Sequence, residues 1–169
     1  MHACEAATGM LTAGRDVGAR STGDGAQVRI GGASAGDDVV IRAKGSILVT
    51  GPLSAGGGAD SNAADQAGDR MFNVAKSSLA GNFDLVGQMV DVRSSAGSIQ
   101  VLGATNAATD ARFQTQAMTG GSVTVGAVTA GRDILLDGGP GLGSNGAQAT
   151  GTLTATRPPQ DVQDSSAAN

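Results

Sequence analysis

The sequence predicts an all-β fold, a parallel β-helix (β-solenoid) of about five to six short coils, on three observations. An apolar-polar-apolar triplet keeps returning, as Val28-Arg29-Ile30, Phe83-Asp84-Leu85, Val90-Asp91-Val92, Ile99-Gln100-Val101 and Val123-Thr124-Val125. Each triplet has the period of two of a strand with one dry and one wet face. Each is also too short to stand alone, so burial must come from stacking one unit on the next. A second signal is the corner that precedes several strands, spelled Ala-Gly-x-Asp and then a β-branched residue. The third is composition: 169 residues hold 28 Gly, three Phe and neither Trp nor Tyr. Rings therefore do not build the core, and small and aliphatic side chains must fill a narrow, layered interior.

Taken in order, residues 1–11 read as a frayed N-terminus. The β-helix is expected over 12–156, and 157–169 read as a disordered tail beginning near Pro158-Pro159. Ala13-Gly14-Arg15-Asp16-Val17, Ala35-Gly36-Asp37-Asp38-Val39 and Ala130-Gly131-Arg132-Asp133-Ile134 carry the corner spelling in full. Gly14, Gly36 and Gly131 suit the bend, and Asp16, Asp38 and Asp133 are expected to bond the backbone just beyond it as Asx-turns. The β-branched residue then opens the strand. Val17, Val28 and Val39 recur every eleven residues, and both Val28–Ile47 and Ile134–Leu153 are separated by nineteen. This density of strands leaves no room for crossover helices, and the Asn-Gly and Asp-Gly turns of antiparallel hairpins are scarce. Coils of two or three strands, stacked in parallel, remain.

Two stretches interrupt the rhythm. Residues 56–70 are rich in Ala, Gly and Asp and read as an inserted loop, with a helical turn around 63–67. Residues 104–119 contain no Gly, but alternation at Ala111, Phe113, Thr115 and Ala117 favours a strand over a helix. Val40, Leu48 and Leu135 place apolar side chains where water is expected. They read either as a stripe that contacts a partner or, by preference, as a surface covered by the 56–70 insertion.

At this point the residues resemble a known family. Residues 120–136, Gly-Gly-Ser-Val-Thr-Val-Gly-Ala-Val-Thr-Ala-Gly-Arg-Asp-Ile-Leu-Leu, look like the repeats of filamentous-haemagglutinin-type proteins, as do 27–57 and, more loosely, 83–103. The resemblance implies a right-handed parallel β-helix, export by two-partner secretion, and service as the shaft of a secreted or cell-surface adhesin touching host-cell or bacterial surface molecules. The Asn-Pro-Asn motif of that family's secretion domain is absent. Met1 to Leu11 lacks the basic and apolar runs of a signal peptide. The chain is therefore expected to be a piece of the shaft, or a short open reading frame descended from one, and no functional residue carries over.

Charge and motif content narrow the function further. A net charge of −4 and a sequence pI near 4.7 argue against nucleic acid, and no apolar run approaches a membrane span. His2 is the sole histidine, and with Cys4 it supplies only two ligands, so neither a His-centred triad nor a metal site is expected there. Asp37-Asp38 invites comparison with β-helical polysaccharide hydrolases and lyases, whose carboxylates do acid/base work or hold Ca²⁺. Yet Asp38 shares the corner slot of Asp16 and Asp133, and no Trp or Tyr offers a sugar platform. Gly141 to Gly146 matches Gly-x-Gly-x-x-Gly, but strand-like residues follow instead of a helix, so it reads as a loop. No cofactor or metal is expected. The expectation is a non-enzymatic structural segment with open strand edges that favour end-to-end self-association. A carbohydrate-active β-helix enzyme and a self-assembling cytosolic scaffold are the alternatives.

Overall fold

The computed structural model describes residues 6–56, 88–139 and 146–156, and in them the chain is a parallel β-solenoid of about five turns. Its fifteen strands are β1 (Ala6–Ala13), β2 (Val17–Arg20), β3 (Val28–Ala35), β4 (Val39–Ala43), β5 (Ile47–Val49), β6 (Leu53–Ala55), β7 (Val90–Ser94), β8 (Ile99–Val101), β9 (Thr105–Ala107), β10 (Ala111–Thr115), β11 (Ser122–Val125), β12 (Val128–Ala130), β13 (Ile134–Asp137), β14 (Gly146–Ala149) and β15 (Leu153–Ala155). Every pairing between them is parallel, and no helix occurs among the described residues.

The coil is three-sided. One side stacks β5, β8, β11 and β14 on the first half of β3. The second stacks β6, β9, β12 and β15 on its latter half, and β1 runs along both halves. The third side is a separate sheet in the order β2-β4-β7-β10-β13. Two of the three sides are one continuous strand in β1 and β3 but divide in later coils. Pro52 explains the first division, because it has no N–H for the ladder; its carbonyl still accepts Ala33 N–H at 2.9 Å. At this corner Gly31, Gly51, Gly103 and Gly126 lie one above another. A Cβ on Gly51 or Gly103 would run into the backbone of the preceding coil, and one on Gly126 would sit 2.8 Å from the Gly103 carbonyl. Close approach, rather than an unusual φ, is what demands glycine here.

The interior is built from aligned aliphatic columns. Val28, Ile47, Ile99 and Val123 stack in register, as do Val39, Val90, Ala111 and Ile134. Ala35, Ala55, Ala107, Ala130 and Ala155 form a narrow edge where nothing larger recurs. Phe113, fully buried between Val92 and Leu136, is the single ring among the described residues. Burying aliphatic side chains at about 25 cal/mol per Å² is what each short strand gains only by stacking.

Several expectations need correction. Strand β1 begins at Ala6, inside the stretch expected to fray, because its backbone pairs with β3 from Ala6↔Val28 to Ala13↔Ala35. The eleven-residue spacing is half a coil, crossing from one side to another; true register joins Val17 to Val39 and Val28 to Ile47. Leu153 stacks on Val128, not on Ile134. Asp91 was expected on a wet face, yet it is fully buried. The 104–119 stretch does form strands, β9 and β10. The triplet 83–85, the 56–70 insertion with its helical turn, and the 157–169 tail lie outside the described residues, apart from Gly56.

Candidate functional site

The three full corners bring their aspartates to one edge of the solenoid, where bonds between coils appear. Asp16 Oδ1 accepts the N–H of Asp38 at 3.4 Å, and Asp38 Oδ1 accepts the N–H of Met89 at 2.9 Å. In the later coils Asp110 Oδ1 accepts the N–H of Asp133 at 3.2 Å. Each of these carboxylates therefore reaches along the solenoid axis to the same slot of the next coil. The donor left at that point by the strand ladder is what it satisfies. Asp110, fully buried and ion-paired with Arg132, belongs to this set. Its preceding residues, Ala107-Ala108-Thr109, lack the glycine of the corner spelling and so hide it. Gly14 is exposed, whereas Gly36 and Gly131 are half-buried.

Val40, Leu48 and Leu135 do not form one stripe. Leu48 sits between Arg29 and Gln100 on the first side, while Val40 and Leu135 belong to the outer face of the third, separated there by Asp91 and Arg112. Val40 is buried; Leu48 and Leu135 are half-buried.

That third side carries the densest chemistry. Counting charges along the chain gives no basic stripe, yet the fold assembles one. Arg20, Arg42 and Arg93 stand in register on β2, β4 and β7, continued by Gln114 and Asp137 on β10 and β13. Parallel strands lie ~4.8 Å apart, so the guanidinium column repeats at that interval. The sequence signal is a Val-x-x-Arg spelling at Val17–Arg20, Val39–Arg42 and Val90–Arg93, obscured by the 51-residue step from Arg42 to Arg93.

Asp91 holds this column in place. Arg42 donates from Nη2 to Asp91 Oδ2 at 2.6 Å and from Nη1 to the Asp91 carbonyl at 2.9 Å. Arg93 donates from Nε and Nη2 to the two carboxylate oxygens, each at 3.0 Å. Arg112 lies beside Asp91 on the next strand. Burial pushes the Asp91 carboxyl up, but Arg42, Arg93 and Arg112 outweigh it and hold it below the ordinary carboxylate range. Burial lowers Arg42 and Arg112 from their ordinary values, with neighbouring guanidiniums adding to the effect. Both remain cations at neutral pH. Asp91 thus faces Arg42, Arg93 and Arg112, and Arg20 stands next in register beyond Arg42, so cations outnumber the carboxylate they surround.

Two adjoining hollows open beside the column. One, of about 210 Å³, is lined by Arg20, Ser21, Thr22, Arg42, Ala43, Lys44 and Ser95. The other, of about 200 Å³, is lined by Arg42, Ala43, Arg93, Ser94, Ser95 and Gln116. Sites that enclose a whole small molecule span roughly 300–1,000 Å³, so each hollow suits a charged group of something larger. Guanidiniums ringed by hydroxyls favour carboxylate, sulfate or phosphate oxygens.

Compared with protein-family models, with curated proteins and with solved structures, the chain matches none. The architecture itself defines the class: a repeat-built β-solenoid, consistent with a structural repeat protein.

Proposed function

We propose that the chain is a structural segment of a bacterial secreted or cell-surface adhesin, a stiff shaft that presents the Arg20–Arg42–Arg93 column to an acidic surface polysaccharide. The observation that carries this reading is the unbroken register of three stacked sides through successive coils. Such a body transmits load along its axis and repeats its surface chemistry once per coil. An acidic polymer is the ligand that uses a repeated cation. Asp37 and Asp38, the carboxylates a β-helical polysaccharide enzyme would need, are buried and bonded to backbone N–H groups.

The test is binding of the chain to immobilised heparin and polygalacturonate, with neutral dextran as the reference. Binding is expected to the acidic polymers only, to weaken steeply with added salt, and to fall at least fivefold in an Arg20→Gln/Arg93→Gln variant. Equal retention on dextran would overturn the proposal. Release of new reducing ends would replace it with the carbohydrate-active alternative.

A further inference from the structure

We propose that the corner formed by Asp16, Asp37 and Asp38 is a Ca²⁺ site. One ligand oxygen from each of these carboxylates lies within 4.8 Å of the others. Oxygens that ligate a single Ca²⁺ at about 2.4 Å can be no more than about 4.8 Å apart, so the three already satisfy the distance condition for sharing one ion.

The second observation is an orphaned acceptor. Asp37 is 2% exposed, and while its Oδ1 accepts the Gln88 N–H at 2.9 Å, its Oδ2 is buried without any hydrogen-bond partner. A carboxylate oxygen withdrawn from water and given no donor is costly unless a cation lies against it. The cluster carries three carboxylates, and among the described residues the Arg15 guanidinium, largely exposed, lies 3.5 Å from Asp16 Oδ2. Like charges at this range repel, and a divalent ion between them would turn that repulsion into attraction.

The geometry is also fixed in advance. Asp16, Asp37 and Asp38 each place Oδ1 on a backbone N–H, of Asp38, Gln88 and Met89 respectively. Donors of this kind orient the carboxylates as outer-shell partners orient metal ligands. Hard, anionic oxygen ligands select Ca²⁺ over softer transition metals. Two successive coils and the return of the chain at Gln88 would thereby be tied at one point.

The experiment uses the full 169-residue chain in 0.15 M NaCl. Equilibrium dialysis against CaCl₂ should show one saturable Ca²⁺ per chain, and thermal unfolding by circular dichroism should shift upward by about 5 °C or more at a hundredfold excess over Kd, relative to EDTA. Asp37→Asn should weaken Ca²⁺ binding at least tenfold. Asp16→Asn, on the more exposed partner, should do the same and serves if the first variant does not fold. Absence of saturable uptake by the wild-type chain up to about 5 mM Ca²⁺ would overturn the site, since extracellular modules bind in the 10⁻⁴–10⁻³ M range. Undiminished uptake by both variants would overturn it as well. Neither readout involves the arginine column, so this site and the adhesin reading stand or fall separately.

Discussion

The backbone N–H of Met89 donates to the carboxylate of Asp38 at 2.9 Å, joining two buried residues 51 positions apart across adjacent coils. Asp16 with Asp38 and Asp110 with Asp133 repeat the relationship over 22 and 23 residues. The corner aspartate is therefore an axial staple: it fixes which coil sits on which, whatever length of chain runs between them.

Asp110 is the staple whose loss should cost most. It is fully buried, accepts from the Asp133 N–H, and pairs with Arg132. Asp110→Ala would leave a backbone donor without its acceptor and take from Arg132 its nearest carboxylate, with Asp133 remaining 3.8 Å away, and an expected loss of about 3 kcal/mol follows. Asp133→Ala, in the half-exposed last corner, should cost under about 1 kcal/mol. Urea unfolding followed by circular dichroism measures both. Equal losses at the two sites would refute the axial role.

The glycine column makes a sharper contrast. Gly103→Ala drives a Cβ into the Gly51 backbone, which cannot yield without separating the coils. A loss of about 3 kcal/mol or failure to fold is expected. Gly14 has open space at its Cβ position and no positive φ, so Gly14→Ala should be neutral or stabilise by up to about 1 kcal/mol. The same unfolding series decides it: if Gly14→Ala proved as harmful as Gly103→Ala, close approach would not be the reason glycine is needed.

Much of the fold was legible because the relevant physics is local. Triplets such as Ile99-Gln100-Val101 show their pleat directly, and the corner spelling at Ala130–Ile134 marks the bend that precedes a strand. The arginine column was not legible, because it depends on register. Arg42 and Arg93 become neighbours only when β4 and β7 pair, and the intervening chain hides the period. Asp91 misled for a related reason. Its slot in Val90-Asp91-Val92 has the pattern of a wet face, but that face is dry wherever Val40 and Arg112 flank it. The Asp16–Asp37–Asp38 cluster needed the fold as well, since adjacency in three dimensions comes from stacking two separate corners.

Asp91 predicts a specific acid response. Its folded pKa lies below the unfolded value of about 3.9, so it binds fewer protons folded than unfolded near that pH. Its stabilisation is complete above the unfolded value and disappears as pH falls through the lower, folded one. Asp91→Asn leaves Arg42 and Arg93 without a counter-charge and should cost about 3–5 kcal/mol at pH 7. The gap between wild type and variant should stay flat from pH 7 to about 5 and narrow below about pH 4. Urea unfolding at several pH values tests this. A gap that widened in acid would mean that burial, not the guanidiniums, controls the carboxyl.

Thr105 offers a gain instead of a loss. It points inward on β9, stacked between Leu53 and Val128, and is 1% exposed. Its Oγ1 is buried with no hydrogen-bond partner, in a column that its neighbours fill with aliphatic carbon. An unsatisfied hydroxyl of this kind costs about 1–3 kcal/mol, and valine has nearly the same shape without it. Thr105→Val should therefore raise stability by about 1 kcal/mol, or Tm by about 2–4 °C for a chain of this size. Thr105→Ser keeps the orphaned hydroxyl and removes the methyl group that fills the column, so it should lose about 1 kcal/mol. The opposite signs are the test: the hydroxyl opposes folding while the methyl supports it, and a destabilised Thr105→Val would show that Oγ1 has an acceptor in the folded chain.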